Sequence, residues 1–595
     1  MRNGRWRYWG PLAVVLVVAF ALRLWGIGQG LPYVYDVDEY GHFVPEAVAM
    51  FHHGLNPHYF INPPALTYLL HAVFAVWLGL GLGSHASATR EFALHPDRLF
   101  LLARVTVALL GTASVWLLYL VGARLLSRRV GLLASAVMAV AFLPVFYGHL
   151  ALNDVPTLAP LTLSLLGTAG VLRRGRLIDY LVAGLGLGLA AATKYTAGVM
   201  ILPLLAAAAA QYLDGRQGGR RDVALGLGIA LVAAAAAFLI ANPFSVLDFH
   251  QFRAELERQS NYTAMGRASW TGAPRQGSFV YYLWSFTWGL GWVPALAALG
   301  GAVTVWRRER RLGWVLVPVA LLYLLFLSLQ GRYFGRWLLP IFPIACLLAA
   351  NFALEAAAWA TRRAPRLRTV LTALAVLALT AQGVVYSIHS GLTLSRADTR
   401  NLARAWVVEH IPAGARIVVE PVVPNAWLDD TGLLGAGRVR WVKYPTLRVV
   451  LNPSSGMPEP GHRIVELENY ERTLGPALIG YYERHGYCWV VSGYTQAGRA
   501  LADPQAIPDA VAYYRALAEQ GEVLYRVSPY NHGEGPVAFD YDWTFDYYPL
   551  AFHRPGPEMI VYRLHGGRCA DATGGTDATS GVKPPPGRRS PGGGA

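Results

Sequence analysis

Charge is scarce in this chain of 595 residues: charged side chains make up 15% of it and hydrophobic ones 54%. A soluble globular protein carries about a quarter charged residues. So large a shortfall excludes an ordinary water-soluble fold and calls for a second solvent, the bilayer. Acids are the scarcer sign, 36 against 51 basic residues, which leaves a net charge of +15. A basic excess can mean nucleic acid, but the arginines stand in short clusters between apolar runs. That is the pattern of cytoplasmic loops, so membrane lipid is the expected partner and nucleic acid is not. Cysteine is rare as well, 3 in all, and the spacing of Cys346, Cys488 and Cys569 excludes a metal or redox motif. Cys346 falls in an apolar run. The one remaining pairing, Cys488 with Cys569, is not expected to form. No internal repeat is visible, which counts against a secondary transporter.

What is present is a series of apolar runs near 20 residues long, the length of a membrane helix. They predict eleven spans at about 10–27, 99–121, 130–148, 155–172, 178–193, 196–213, 223–241, 279–305, 313–329, 337–357 and 369–389. With these spans every arginine cluster falls on one side: Arg124/Arg128/Arg129, Arg173/Arg174/Arg176, Arg216/Arg220/Arg221, Arg307/Arg308/Arg310/Arg311 and Arg362/Arg363/Arg366/Arg368, together with Arg2, Arg5 and Arg7. The run 64–82 would invert the later clusters if it crossed, so it is expected to be a juxtamembrane or re-entrant helix within a large outer loop, 28–98. The first run has no small-residue cleavage site and is expected to stay as an anchor. The fold class is therefore an α-helical polytopic membrane protein with a C-terminal extracytoplasmic α/β domain, placed in the plasma or inner membrane. Residues 1–393 form the membrane domain. Residues 394–566 form the α/β domain, with strands near Arg416 and Cys488 and helices over 402–410 and 510–520. The Gly/Pro-rich 567–595 is expected to be a disordered tail.

The informative residues are charges placed outside, near membrane ends. Asp36, Asp38 and Glu39 follow the first span within four residues. Mutual repulsion near a low-dielectric boundary is expected to raise a pKa there or to recruit a cation. A helix N-terminus would also favour such acids. Asp154 stands just before Pro156, where it could also cap a helix. Lys194 ends two apolar helices with the wrong sign for that side, unless it snorkels to headgroups. Arg332 and Arg336 are flanked by aromatics, and planar guanidinium forks suit a phosphate. Alternating acids and bases on one face fit phosphate-linked group transfer.

These pieces, in order, resemble the GT-C superfamily of glycosyltransferases. The similarity is nearest the branch of protein O-mannosyltransferases and lipid A aminoarabinose transferases. The resemblance is carried by Leu22-Arg-Leu-Trp, Gly30-Leu-Pro-Tyr, Asp38-Glu39, Pro63-Pro64, Asn153-Asp-Val-Pro, Thr193-Lys194, Tyr281-Tyr-Leu and Arg336-Trp-Leu-Leu-Pro-Ile-Phe-Pro, over about residues 10–345. It implies an inverting transfer of a hexose or pentose from a polyprenyl-phosphate donor to a protein, lipid or glycan acceptor on the outer face. It further implies that Asp38 is the general base, made more basic by Asp36 and Glu39. Glu39 would support Asp38 or share a cation, and Asp154 would be the second acidic position. Lys194, Arg332 and Arg336 would hold the donor phosphate. Metal dependence stays open, with a divalent ion as one cofactor. The aminoarabinose branch has Glu-Lys before its two prolines, where this chain has Ile61-Asn62, so that branch's acceptor does not carry over. The C-terminal domain resembles no named family and is expected to fold alone without catalytic groups. The alternatives are a transporter or lipid-linked-sugar flippase, and an oligosaccharide transferase that moves a whole glycan.

Overall fold

The structure, a computed structural model, describes the chain apart from residues 1–2, 86, 215–218, 265, 267–269, 274–275, 436, 448, 452–457, 461–464, 466, 532–534 and 572–595. Arg2 and Arg216 lie outside the described residues, as do Arg267 and Arg275.

Among the described residues, six helices are long and apolar enough to cross a membrane, or up to eight if two bent pairs each count as one span. The chain is a multi-pass membrane protein. Two of the eleven expected spans, Trp9–Leu24 and Leu177–Thr193, are shorter apolar helices. A third, Leu158–Arg174, has 17 residues. The expected span 279–305 is two helices, Ser278–Gly289 and Trp292–Arg308, bent by 112°. The bend sits at Gly291, whose φ of +115° suits only glycine. Arg128–Val140 and Phe142–His149 are bent by 61°. The run 64–82 forms Ala65–Gly79, a helix of 15 residues. At about 1.5 Å per residue this falls short of the roughly 30 Å hydrocarbon core.

Small residues bring the helices together, since lipid supplies no hydrophobic drive for them to associate. A Cβ on Gly184 would stand 2.2 Å from the Ala230 carbonyl oxygen, so Leu177–Thr193 and Gly219–Ala241 meet backbone to backbone. Ion pairs gather the arginine-rich turns at one end of the bundle. Arg173 pairs with Glu309, Arg174 and Arg124 share Asp179, Arg311 pairs with Asp214 and Arg308 with Glu355. The same helices lead to Asp154 and Lys194 at their opposite ends. Leu158–Arg174 starts beside Asp154, and Leu177–Thr193 returns to Lys194.

A second unit comprises Thr399–Val423, Val439–Ser528 and the chain from Pro557. Its mixed five-stranded sheet runs in the order Val442–Lys443, Arg416–Val419, Tyr487–Gly493, Met559–Arg563, Glu522–Val527. The first three strands are parallel, and Met559–Arg563 is antiparallel to both of its neighbours. Helices Thr399–His410 and Pro508–Gln520 stand where the apolar periodicity predicts them. Two expectations are corrected. Cys488 and Cys569 are joined in a disulfide, because the last turn, Gly567–Cys569, packs back on the unit and buries Cys569. The residues just past 566 are therefore held, and only 572–595 of the expected tail lie outside the described residues. The chain also does not divide at one point near 394, since Pro424–Arg438 and Pro529–Gly556 belong to the helical unit.

Candidate active site

A cavity of about 780 Å³ opens at the helix ends that carry Asp154 and Lys194, lined by these two with Asp38, Arg332 and Arg336. Five of the six expected site residues thus converge from four distant segments.

Asp38 lies in the short helix Val37–Gly41, whose N-cap is Asp36: the Glu39 amide donates to Asp36 Oδ1 at 2.9 Å. Capping therefore falls to Asp36, and Asp38 is left with its side chain 46% exposed, paired with Arg336. Burial favours the neutral form of Asp38. The Arg336 guanidinium, with His42 and Arg332, outweighs that and holds its carboxyl below the ordinary value. Burial and the Asp38 charge push Asp36 up to about 7. The negative charge of this pair sits on Asp38. The expected rise in Asp38 basicity is thus reversed in this state, because two arginines face Asp38 and Glu39 is neutralised elsewhere.

Glu39 points away from the cavity. Its carboxylate accepts from Arg104 Nε at 2.7 Å and Nη2 at 2.8 Å, with both side chains fully buried. Arg104 also donates to the Ile27 and Gln29 carbonyls at 2.8 and 2.9 Å, and the Ala151 amide donates to Glu39 at 2.8 Å. This pair ties the Asp38 loop to the Asp154 loop. A lone charge within a span, such as Arg104 in 99–121, is the sequence signal that could have found it.

Asp154 is 4% exposed and accepts from Lys194, with Arg336 Nε at 3.7 Å from its other oxygen. Asn153 holds the turn by donating to the Thr193 carbonyl at 2.9 Å. Burial draws the Lys194 ammonium below its ordinary value, against the pull of Asp154. Arg332 stacks over Trp270 at 4.7 Å, and Arg336 lies 4.8 Å from the Phe334 ring centre.

The segment between helices Gly219–Ala241 and Ser278–Gly289 supplies a wall of the cavity. Helix Phe249–Ala264 brings Glu255, Arg258 and Tyr262 to the cavity. Glu255 accepts from the Phe60 amide, and Arg258 donates to Tyr262 at 3.0 Å. Tyr59, Ile61 and Asn62 also line the cavity, so the departure at Ile61-Asn62 lies in its wall. Among the described residues, no three His, Cys, Asp or Glu side chains are grouped to hold a metal ion. The carboxylates are matched by arginine and lysine.

Residues 97–246 match the family model described as dolichyl-phosphate-mannose-protein mannosyltransferase. No curated protein matches the chain by sequence. The crystal structure of the Archaeoglobus fulgidus oligosaccharyltransferase in the apo form is similar with a TM-score of 0.50 and 13% identity, over 90% of this chain and 75% of that one. ArnT from Cupriavidus metallidurans bound to undecaprenyl phosphate gives 0.48 and 14% identity, over 93% of this chain and 97% of that one. The S. cerevisiae Pmt1-Pmt2 complex bound to the sugar donor gives 0.33 and 19%, over 41% of this chain and 34% of that one. The chain is thus similar over 97–246 to the dolichyl-phosphate-mannose-protein mannosyltransferase family, and its fold is similar to that of the archaeal oligosaccharyltransferase.

Proposed function

We propose that the chain transfers a sugar from a polyprenyl-phosphate donor to an acceptor hydroxyl at the extracytoplasmic face, with inversion and with Asp38 as the general base. The observation that carries this reading is the meeting of Asp38, Asp154, Lys194 and Arg336 in one cavity at membrane ends. A lipid-linked phosphate must lie at that depth.

An acceptor hydroxyl has a pKa far above neutrality, so its proton must be taken as the oxygen attacks. Asp38 Oδ takes it, the new C–O bond forms at the anomeric carbon, and the C–O bond to phosphate breaks. The leaving polyprenyl phosphate gains negative charge, and fixed cations stabilise charge that grows in the transition state. Lys194, Arg332 and Arg336 are the side chains in reach. In the ligand-free state Arg336 is paired with Asp38 and Lys194 with Asp154. A donor phosphate competes for both cations. When Arg336 turns to it, Asp38 loses the partner that lowers its pKa and becomes a stronger base. Donor binding and base strength are thereby linked.

The extracytoplasmic assignment rests on the arginine-rich turns at the far end of the bundle. The Cys488–Cys569 disulfide also suits an oxidising compartment for the sheet unit. The test is transfer from undecaprenyl-phosphate mannose and undecaprenyl-phosphate pentose in membranes holding the full chain. Label should move to endogenous acceptors with one of them, and the mass of the increment distinguishes one sugar from a whole glycan. No transfer and no donor consumption with either would count against the reading.

A further inference from the structure

Between the strands Glu522–Val527 and Met559–Arg563 the chain joins the helical unit as Pro529–Gly556. The segment is firmly seated there. The Trp543 ring stacks on Phe142 at 5.5 Å and 9°, and meets Trp288 at 5.1 Å. His389 Nε2 lies 3.0 Å from the Pro549 carbonyl oxygen.

Three contacts from this segment reach the turn that carries Arg332 and Arg336. Tyr541 stacks on Trp270 at 5.9 Å, and Trp270 is the ring over which Arg332 lies. Asp542 accepts from the Tyr281 hydroxyl at 2.9 Å, and the Tyr281 ring packs 4.7 Å from that of Tyr333. The Tyr547 and Tyr147 hydroxyls are hydrogen-bonded at 2.8 Å, and Arg336 sits 5.8 Å from the Tyr147 ring centre. A Cβ on Gly335 would stand 3.2 Å from the Tyr547 hydroxyl, so the backbone just before Arg336 rests on it.

We propose that Tyr541–Tyr547 braces the phosphate-holding arginines from behind, with Tyr547 a positioning residue that sets Arg336 through Tyr147. A long arginine side chain loses up to about 2 kcal/mol of rotamer freedom when it is fixed. Packed rings that hold its turn in place beforehand reduce what donor binding must supply. The C-terminal part of the chain is then part of the donor site's support. This rests on the reading of Arg336 as a donor-phosphate ligand.

The test uses the full chain in lipid nanodiscs with undecaprenyl phosphate as the probe. Tyr547→Phe keeps the ring and loses only the hydroxyl. It should weaken binding about fivefold, the size of one net hydrogen bond, while the Tyr147 hydroxyl left buried without that partner also costs some stability. Tyr147→Phe removes the same bond from the other side, so the double variant should bind no worse than either single one. Arg336→Ala is run alongside. If Arg336→Ala leaves binding intact, the donor reading fails and the proposal falls with it. If Arg336→Ala weakens binding and Tyr547→Phe does not, the brace is overturned while the donor reading stands. A binding loss in the double variant, which leaves no orphaned hydroxyl, matched by a lower unfolding temperature, or additive single effects, would also overturn it.

Discussion

Replacing Asp38 with asparagine separates chemistry from structure, because little of the fold depends on its charge. The cap of its helix is Asp36, whose carboxylate accepts from the Glu39 amide at 2.9 Å. The anchor of the loop is Glu39, held by Arg104. What Asp38 contributes to stability is an ion pair with Arg336, and 46% of its side chain is open. Solvent screens such a pair, which typically contributes about 0–1 kcal/mol. Losing a general base costs about 100- to 10,000-fold in rate, or roughly 3–5 kcal/mol of barrier. Asp38→Asn should therefore insert and unfold like the parent while transfer from undecaprenyl-phosphate mannose or pentose falls at least a hundredfold. Asp36→Asn is the control: asparagine caps nearly as well as aspartate, so its rate should stay within a few-fold. The assay is initial rate in membranes normalised to inserted protein. A rate for Asp38→Asn within tenfold of the parent would refute the base assignment, and a rate loss equalled by Asp36→Asn would point to loop geometry instead.

Further outcomes are expected elsewhere. Lys194→Ala and Arg336→Ala should each raise the donor KM by about 10- to 150-fold, the range of a charge-assisted hydrogen bond; unchanged donor KM in both would make them headgroup anchors. Glu39→Gln should lower the unfolding free energy by about 3–5 kcal/mol, because it leaves Arg104 charged in a buried site; thermal unfolding in detergent reads this. In the sheet unit, burial pushes Glu420 up to about 7, so its folded state holds a proton that the unfolded chain releases near its ordinary pKa of 4.5. Its stabilising contribution is present below that value and is lost as pH rises towards 7; the fall in unfolding temperature over that range should flatten in Glu420→Gln. Maleimide labelling of Arg90→Cys and Arg129→Cys should find the two on opposite sides of the membrane, and labelling from one side would defeat the topology.

The sequence made legible what periodicity and charge sidedness encode. The arginine clusters gather at one end of the bundle, and Asp38, Asp154, Lys194, Arg332 and Arg336 meet at the other. Contacts set by distant pairing were not legible. Glu39 differs from Asp38 by one position, yet a single helical step of about 100° turns it towards Arg104 and out of the cavity. Asp38 was expected to be made more basic by its neighbours in sequence, but Arg336, 298 residues away, outweighs them. The helix Phe249–Ala264 is largely polar, so it has no apolar run to mark it. The brace at Tyr541–Tyr547 lies in a stretch whose composition looks like loop.

The most direct test of sugar transfer from a polyprenyl-phosphate donor is mass spectrometry of lipids and glycans from cells whose only copy of the chain carries Asp38→Asn. The expected result is accumulation of one polyprenyl-phosphate sugar together with loss of the matching sugar increment from a protein, lipid or glycan. Unchanged lipid-linked sugars and unchanged glycans, with the variant present in the membrane, would contradict it.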